Sequence, residues 1–382
     1  MRRYRVKGLE LTIVECKKEL KYFLEQKIKE CKVVVLPDFF FDRLINLNWN
    51  QEEFSNLTAD VAKRKGGSID GVPQTDLRGG NAVNVASALA NLGAKVTPII
   101  CTNEYGLQQI RYYFKDTPID TSHIKIQDKA SITTALEFQD KNQKINVMIR
   151  DLGSLADFGP NDLNGNDYAL IEAADYTCLF NWAGTLRFGT LLAQSVFGRA
   201  KAKGKSKTYY DTADPTPNRI KIAELIQTVL ESNQVDILSV NENEAITYAT
   251  LVEESFSSKK ENLNFSELAM EAARVLAKHL TARIDLHTTL FSASLRGKKE
   301  VMAPSFKVNV LRATGAGDAW TAGNIIGDHN GLSDECRLVL ANAVSACYLS
   351  DPYGKHPTRM KLSRFIQSND YFFNPSIDSK DK

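Results

Sequence analysis

The stretch that decides the fold is Ala313-Thr314-Gly315-Ala316-Gly317-Asp318-Ala319-Trp320-Thr321-Ala322-Gly323. Small residues begin what its apolar spacing predicts to be a long helix, so several backbone N–H groups at its start are open to a ligand. The helix macrodipole favours an anion at that end. Asp318 lies in the first turn, where a carboxylate beside an anion can accept the proton of a hydroxyl that attacks phosphorus. The alternative is that Asp318 only stabilises the helix start.

Paired glycines precede a second predicted helix, in Arg78-Gly79-Gly80-Asn81-Ala82-Val83-Asn84. Glycines let the backbone approach a ligand closely, and the N–H groups of a helix start can donate to ligand oxygens. Asn84 lies on the same helix face as Asn81, and its amide offers both a donor and an acceptor, as a polyol ligand requires. A glycine turn capped by Asn81 is the alternative that these residues leave open.

A third element, Ser239-Val240-Asn241-Glu242-Asn243-Glu244, follows a predicted strand and begins another helix. Asn241 is the expected N-cap. Glu244 is either its capping-box partner or a ligand of hydrated Mg²⁺ through water, and the two roles are compatible. Ligands of open α/β sheets gather at the carboxyl ends of strands. All three elements lie at such ends, which favours one shared site.

Strands alternate with helices along most of the chain, which predicts a mostly parallel sheet covered on both faces. The predicted strands are Val33–Leu36, Lys95–Ile100, Tyr176–Phe180, Lys207–Tyr210, Val235–Val240 and Arg283–His287. The predicted helices include Val14–Cys31, Asn81–Leu92, Leu186–Ala202, Arg219–Glu231 and Glu267–Leu280. Two segments, 43–78 and 128–150, break this rhythm, and the second alternates apolar and polar residues around a turn at Asp140-Lys141-Asn142. They predict a small separate sheet.

Composition excludes several classes of protein. The 382 residues are 43% hydrophobic, which argues against global disorder, and a net charge of +2 argues against binding to nucleic acid or membranes through charge. The basic N-terminus is followed by no apolar segment typical of a secretory signal, so the expected compartment is the cytoplasm. The six cysteines are scattered, which predicts mostly buried reduced thiols rather than a disulfide framework or a zinc site.

Together these elements resemble the PfkB carbohydrate kinase family, also called ribokinase-like. Gly79–Gly93 resembles the first family signature and Thr314–Gly323 the second, while Asn241–Glu244 is similar to the N-x-x-E motif. Pro37–Asp42 resembles the opening G-D-x-x-x-D pattern. The resemblance spans 32–366, leaving 1–31 as an N-terminal helical extension and 367–382 as a polar C-terminal tail.

The resemblance implies a three-layer α/β/α sandwich with a small β-sheet lid formed by segments 43–78 and 128–150. It implies ATP- and Mg²⁺-dependent phosphoryl transfer to a hydroxyl of a small sugar, sugar acid, polyol or nucleoside. Asp318 would be the base, and the N–H groups of Gly315, Ala316 and Gly317 would form an anion hole. The substrate contacts that it implies are Asp42, Gly79, Gly80 and Asn84. The nucleotide contacts that it implies are Asn241, Thr314, Gly315, Gly317 and His287. Glu244 would bind the metal through water. Lid edges of the family often pair, which implies a homodimer.

Several residues depart from the family pattern. Arg312 stands where the family often has an aspartate beside a monovalent cation, so we expect no potassium requirement. His287-Thr288-Thr289 lacks the glycine of the usual nucleotide loop. Phe40 and Asn81 replace an asparagine and a lysine of ribokinases, which argues against ribose. The alternatives are a catalytically silent ribokinase-like binding protein and a Rossmann dehydrogenase, and the latter lacks a G-x-G-x-x-G after the first strand.

Overall fold

The computed structural model describes residues 2–140, 143–261, 263–312 and 314–371. Its helices are α1 (Arg2–Glu25), α2 (Gln51–Lys63), α3 (Asn81–Asn91), α4 (Glu104–Phe114), α5 (Gly165–Ala173), α6 (Gly189–Ala202), α7 (Ile222–Leu225), α8 (Glu242–Val252), α9 (Phe265–His279), α10 (Ala316–His329), α11 (Asp334–Leu349) and α12 (Arg359–Ser368). Its strands are β1 (Lys32–Leu36), β2 (Phe40–Asn46), β3 (Gln74–Gly79), β4 (Lys95–Pro98), β5 (Cys101–Thr102), β6 (Lys125–Ile126), β7 (Ser131–Asp140), β8 (Gln143–Asp151), β9 (Tyr176–Phe180), β10 (Lys207–Asp211), β11 (Ile237–Val240), β12 (Arg283–His287), β13 (Phe291–Arg296) and β14 (Lys299–Pro304).

The main sheet has eight strands in the order β14-β13-β12-β11-β10-β9-β1-β4. The strands from β12 to β4 are parallel, whereas β13 and β14 are antiparallel to their neighbours. Alternate side chains of one strand enter opposite cores: Val33 and Val35 face one layer of helices, and Val34 and Leu36 face the other. The predicted three-layer α/β/α sandwich is therefore confirmed.

The helix layer that contains α3, α10 and α11 is packed closely. A Cβ atom at Gly323 of α10 would lie 2.7 Å from the Cα atom of Ala341 on α11, so only glycine permits this approach of the two helices. Ten consecutive residues of α10, from Asp318 to Gly327, are buried. Because the helix is packed along its length, its first turn is held in a fixed place at the edge of the sheet.

A separate four-stranded sheet has the order β3-β2-β7-β8. β2 runs parallel to β7, and β7 and β8 form an antiparallel hairpin whose predicted turn residues 141–142 lie outside the described residues. The segment between β2 and β3 contains α2, a helix that the polar composition did not predict. Its sequence signal is a capping box, in which Asn50 accepts from the Glu53 N–H group (2.9 Å) and Glu53 accepts from the Asn50 N–H group (2.9 Å).

The N-terminal helix α1 begins earlier and ends earlier than the predicted Val14–Cys31. It packs on α11 and α12, and the Cys16 and Cys336 side chains form a disulfide with Cα atoms 5.0 Å apart. The expectation of reduced thiols was therefore wrong for this pair, although the other four cysteines are free and buried. The two partners are 320 residues apart in sequence, so spacing alone could not reveal them.

Part of the predicted polar tail 367–382 is packed against the domain. Tyr371 is buried and its ring lies 4.2 Å from that of Phe306, whereas residues 372–382 lie outside the described part of the chain. Within the described residues, no helix is both long enough and apolar enough to cross a membrane.

Candidate active site

Polar side chains line one edge of the main sheet, where its adjacent parallel strands end. The residues that end these strands or follow them within two positions are His287, Asn241, Asp211, Asn181 and Asp38, in the order of the sheet. Because the carboxyl ends of parallel strands lie at the same edge, the three motifs singled out in the sequence meet there.

The N-terminus of α10 is capped by a glycine. Gly315 has φ 86°, in the left-handed region, and a Cβ atom there would lie 2.7 Å from the Tyr348 hydroxyl. The N–H groups of a first helical turn have no partner within the helix, and glycine has no side chain to accept them. Among the described residues, the N–H groups of Ala316 and Gly317 have no hydrogen-bond partner, which favours the predicted anion hole.

The Asp318 carboxyl group is buried and faces α3. Its Oδ1 atom accepts a hydrogen bond from Nδ2 of Asn81 (2.8 Å) and its Oδ2 atom from Nδ2 of Asn84 (3.0 Å). Burial raises the pKa of Asp318 to about 8; the two amide donors lower this pKa, and the nearby Asp211 and Asp38 raise it. A carboxylate with a pKa close to neutral pH suits a general base, because it can both take up and release a proton.

Both the NH₂ group and the oxygen of the Asn84 amide form hydrogen bonds within the protein. While its Nδ2 atom donates to Asp318, its Oδ1 atom accepts from Nε of Arg78 at 3.2 Å. Asn84 is therefore a direct partner of the candidate base, a role that its sequence spacing did not predict. Its predicted contact with substrate stays a prediction.

The start of α3 is capped by an aspartate from elsewhere in the chain. Asp38 accepts from the N–H groups of Asn81 (3.0 Å) and Ala82 (2.8 Å) and from Nδ2 of Asn181 (2.9 Å). Gly80, with φ 95°, is the N-cap residue, and a Cβ atom there would lie 2.8 Å from the backbone of Asp38. These N–H groups are thus used within the protein, contrary to the expectation that they donate to a ligand.

Gly79 leaves room for a buried carboxyl group. A Cβ atom at Gly79 would overlap the carboxyl group of Asp42. The absence of a side chain at Gly79, on β3, therefore leaves room for the Asp42 side chain of the neighbouring strand β2. Burial raises the pKa of Asp42 to about 6, while a hydrogen bond from Thr133 lowers it. Its Oδ1 atom is buried and has no hydrogen-bond partner among the described residues. This oxygen could accept from a hydroxyl, and the contact of Asp42 with substrate stays a prediction.

Asn241 and Glu244 form a capping box at the start of α8. Asn241 donates from its N–H group to Oε2 of Glu244 (3.0 Å) and from Nδ2 to Oε1 (2.7 Å), while the Glu244 N–H group donates to Oδ1 of Asn241 (3.0 Å). Burial and the neighbouring Asp211 raise the pKa of Glu244 well above its ordinary value. Burial also raises the pKa of Asp211 to about 6.

This pair of buried carboxyl groups fits a divalent cation, which would relieve their repulsion, and oxygen ligands are those Mg²⁺ prefers. Asp211 was missed at the sequence level. Its signal was an acidic residue at the carboxyl end of a strand whose neighbours Tyr209 and Tyr210 are fully buried.

The residues predicted to contact nucleotide lie on both sides of the glycine cap. The His287 ring lies beside Gly317, where a Cβ atom would be 3.2 Å from its Cε1 atom. Burial lowers the pKa of His287 to about 4, so the ring is neutral at physiological pH, and its buried Nε2 atom has no partner among the described residues. The Thr314 carbonyl accepts from the Tyr348 hydroxyl at 3.1 Å.

Comparisons with known proteins agree with this geometry. The pfkB family carbohydrate kinase domain matches residues 56–359. No curated protein matches the chain. Similar solved structures include an adenosine kinase from Sinorhizobium meliloti, with 18% identity over 89% of this chain and 99% of that one and a TM-score of 0.65.

An Arabidopsis thaliana ribokinase complexed with ribose and ATP shares 17% identity over 89% of this chain and 99% of that one, with a TM-score of 0.65. A nucleoside kinase of Methanocaldococcus jannaschii shares 15% over 90% and 99%, with a TM-score of 0.63. Identities this low show a shared fold, and the domain match shows the family. The chain belongs to the PfkB family of carbohydrate kinases.

Proposed function

We propose that the protein transfers the terminal phosphoryl group of ATP to a hydroxyl of a small sugar, sugar acid, polyol or nucleoside. The observation that carries this proposal is the buried Asp318 carboxyl group in the first turn of α10, directly after a glycine cap that leaves backbone donors free. A base and an anion site within one helical turn are what transfer to an alcohol requires.

In the proposed reaction, Asp318 takes the proton of the substrate hydroxyl as its oxygen forms a bond to phosphorus. The bond from phosphorus to the leaving oxygen of ADP breaks. The N–H groups of Gly315, Ala316 and Gly317 stabilise the charge on the transferred group, because they are fixed by the helix and need no reorganisation. Asp42, Gly79, Gly80 and Asn84 hold the substrate so that one hydroxyl faces Asp318.

Asn241, Thr314 and His287, together with Gly315 and Gly317, contact the nucleotide. Mg²⁺, held through water by Glu244, would neutralise phosphate charge. The Arabidopsis ribokinase complexed with ribose and ATP supports a sugar-like acceptor and ATP as the donor. The cytoplasm, where ATP is abundant, is the proposed compartment.

We extend the proposal to a homodimer through the lid. β8 is an edge strand of the four-stranded sheet, and its Ile145, Val147 and Ile149 side chains are about half exposed. Unpaired edges with exposed apolar side chains favour association with a second chain. Light scattering should give the mass of a dimer, and Val147→Lys should give a monomer; an unchanged mass in the variant would exclude this interface.

The proposed activity is tested by measuring ADP release with ATP, Mg²⁺ and a panel of sugars, sugar acids, polyols and nucleosides. We expect saturable release that requires both an acceptor and Mg²⁺, and that is lost in Asp318→Asn. Saturable binding of an acceptor without ADP release above the level of Asp318→Asn would reject the kinase and favour a silent binding protein.

A further inference from the structure

Arg78, at the end of β3, is an unusual cation. Its guanidinium is partly buried and lies over the rings of Phe114 (5.6 Å) and Tyr113 (6.0 Å). Its hydrogen-bond partners are Oδ1 of Asn84 and, at 3.4 Å, Nδ1 of His356. Within the described part of the chain, no carboxylate lies within ion-pair distance of it. Burying a charge without an opposite charge is unfavourable, so a role other than stability is indicated.

Arg43 on the neighbouring strand β2 shows the ordinary arrangement. Its guanidinium donates from Nε (2.6 Å) and Nη2 (2.9 Å) to the two carboxylate oxygens of Asp76, and both side chains are exposed. Arg43 therefore has a counter-charge in contact and solvent, whereas the described hydrogen-bond partners of Arg78 are neutral and the charge of Asp318 acts on it without contact. The two residues form a matched pair for mutation.

The contact with Asn84 determines which end of that amide faces Asp318. An arginine can only donate, so Oδ1 of Asn84 must face Arg78, and Nδ2 then faces the carboxyl group of Asp318. Without Arg78 the amide is free to turn by half a rotation and present its oxygen to Asp318. A donor favours the carboxylate, whereas an acceptor favours the protonated carboxyl group.

His356 holds the guanidinium from the other side. Because arginine is only a donor, Nδ1 of His356 must be the acceptor, and the same nitrogen lies 3.1 Å from Oγ of Ser87. Burial and then Arg78 lower the pKa of His356 well below its ordinary value, so the ring is neutral. The His356 ring stacks on Tyr348 at 4.7 Å. Arg78 is thus fixed on both sides.

We infer that Arg78 is a positioning residue, which locks the Asn84 amide with its NH₂ group toward Asp318 and so keeps the base available as a carboxylate. This inference rests on the proposed function, since it gives Asp318 the role of base. Arg78 acts through Asn84 and not by touching the reacting atoms. The charged and titratable groups that act on Asp318 are Asp211, Asp38, Arg78 and Tyr348, with the amides of Asn81 and Asn84 as direct partners.

The first test is the pH dependence of kcat/KM, which reports the pKa of the base in the free enzyme. In the unchanged protein the acid side should have its midpoint near the Asp318 pKa of about 8. In Arg78→Met the midpoint should move upward by ~1 unit, which lowers kcat/KM at pH 7 by about 10-fold because fewer molecules contain the carboxylate. Arg78→Lys, which keeps a charged donor, should have a midpoint close to that of the unchanged protein. Arg43→Met should leave it unchanged.

A double-mutant cycle tests the route through Asn84. In an Asn84→Ala background, Arg78→Met should add only the small shift that comes from losing the positive charge near Asp318, because the amide that Arg78 orients is gone. An additive shift in the double variant, or an unshifted midpoint in Arg78→Met, would overturn the inference while leaving the kinase proposal intact.

A measurement of stability, which needs no catalysis, separates the inference about Arg78 from the proposed kinase activity. Because the Asp318 pKa lies above its ordinary value of 3.8, ionisation of Asp318 lowers folded-state stability as pH rises from about 4 to about 8. The gain in melting temperature from Asp318→Asn should therefore grow with pH and level off near pH 8. In an Arg78→Met background it should level off at a higher pH. Levelling off at the same pH in both backgrounds would contradict the role of Arg78, whether or not a substrate is known.

Discussion

Helices α8 and α10 begin at the same edge of the sheet, and each has an acidic residue at its third position, Glu244 and Asp318. The two carboxyl groups point in different directions. Glu244 turns back to its own N-cap residue, Asn241, and closes a capping box. Asp318 follows a glycine cap with no side chain, and points across to Asn81 and Asn84 on α3.

The difference shows what a cap residue decides. Asn241 takes up one of the first N–H groups of α8, so that end is closed by its own side chain. Gly315 leaves the N–H groups of α10 open, and the helix relies on its packing against α11 instead of a cap. A buried carboxyl group with a raised pKa further reduces stability at that end. We therefore expect α10 to exchange stability for activity more strongly than α8 does.

The largest effect should come from Asp318→Asn. Removal of the base should lower kcat by ~10²-fold or more. The same change should raise the melting temperature at pH 7 to 8, because it removes a carboxyl group whose pKa burial has raised. Steady-state kinetics and thermal unfolding measure the two effects. Near-normal turnover would show that Asp318 is not the base. A lower melting temperature would contradict the proposed exchange of stability for activity at this helix start.

The next effect tests the glycine cap. Gly315→Ala should lower kcat by ~10-fold, since a Cβ atom pushes against Tyr348 and displaces the first turn. Gly331→Ala is the matched control, because Gly331 has φ 74° and nothing within 4 Å of a Cβ atom. Both variants should lose ~1–2 kcal/mol for a left-handed alanine. Equal kcat values in the two variants would mean that the position of the cap has no role in catalysis.

At the other helix, Glu244→Gln should act on metal dependence. Glutamine keeps an oxygen to accept from Asn241 but removes the charge, so the Mg²⁺ concentration for half-maximal rate should rise by ~10-fold. At saturating Mg²⁺ most of kcat should return, whereas no Mg²⁺ concentration should rescue Asp318→Asn. If excess Mg²⁺ does not restore the kcat of Glu244→Gln, the start of α8 and the start of α10 do not have separate roles as metal site and base.

The sequence predicted what depends on local pattern. The bounds of β9 and β12 were predicted to the residue, because the apolar run of β9 and the apolar Ile284 and Leu286 of β12 are typical of buried strands. The open start of α10 followed from its small residues. The capping box of Asn241 and Glu244 also depends on neighbours in sequence. The helix α2 was missed because none of its residues is buried, so it lacks the apolar spacing of a packed helix.

The contacts that set the properties of the site could not be predicted in this way. Asp38 contacts Asn181 across 143 residues, and Arg78 contacts His356 across 278. Only the tertiary fold brings these residues together. The raised pKa of Asp318 likewise depends on burial and on Asp211, a residue at the end of β10 that is distant in sequence. Pattern singled out the candidate base, but packing determines its proton affinity.

The smallest effect concerns monovalent cations and also separates the two helix ends. The proposed function assigns a soluble cation, Mg²⁺, to the start of α8, whereas a cation of the chain itself, Arg312, lies near the start of α10. Its Nη2 atom donates to the Pro352 carbonyl at 2.8 Å, and the guanidinium lies 5.9 Å from the ring of Tyr348, whose hydroxyl donates to the Thr314 carbonyl.

The Arg312 guanidinium already supplies a positive charge and a hydrogen-bond donor to this loop. Replacing Na⁺ by K⁺ at constant ionic strength should therefore change kcat by less than ~2-fold, within the range of general salt effects. Arg312→Met should lower kcat in both salts, since the loop behind Tyr348 loses its donor. A strong K⁺ requirement in the unchanged protein would mean that Arg312 does not replace a cation, and that both helix ends depend on soluble ions.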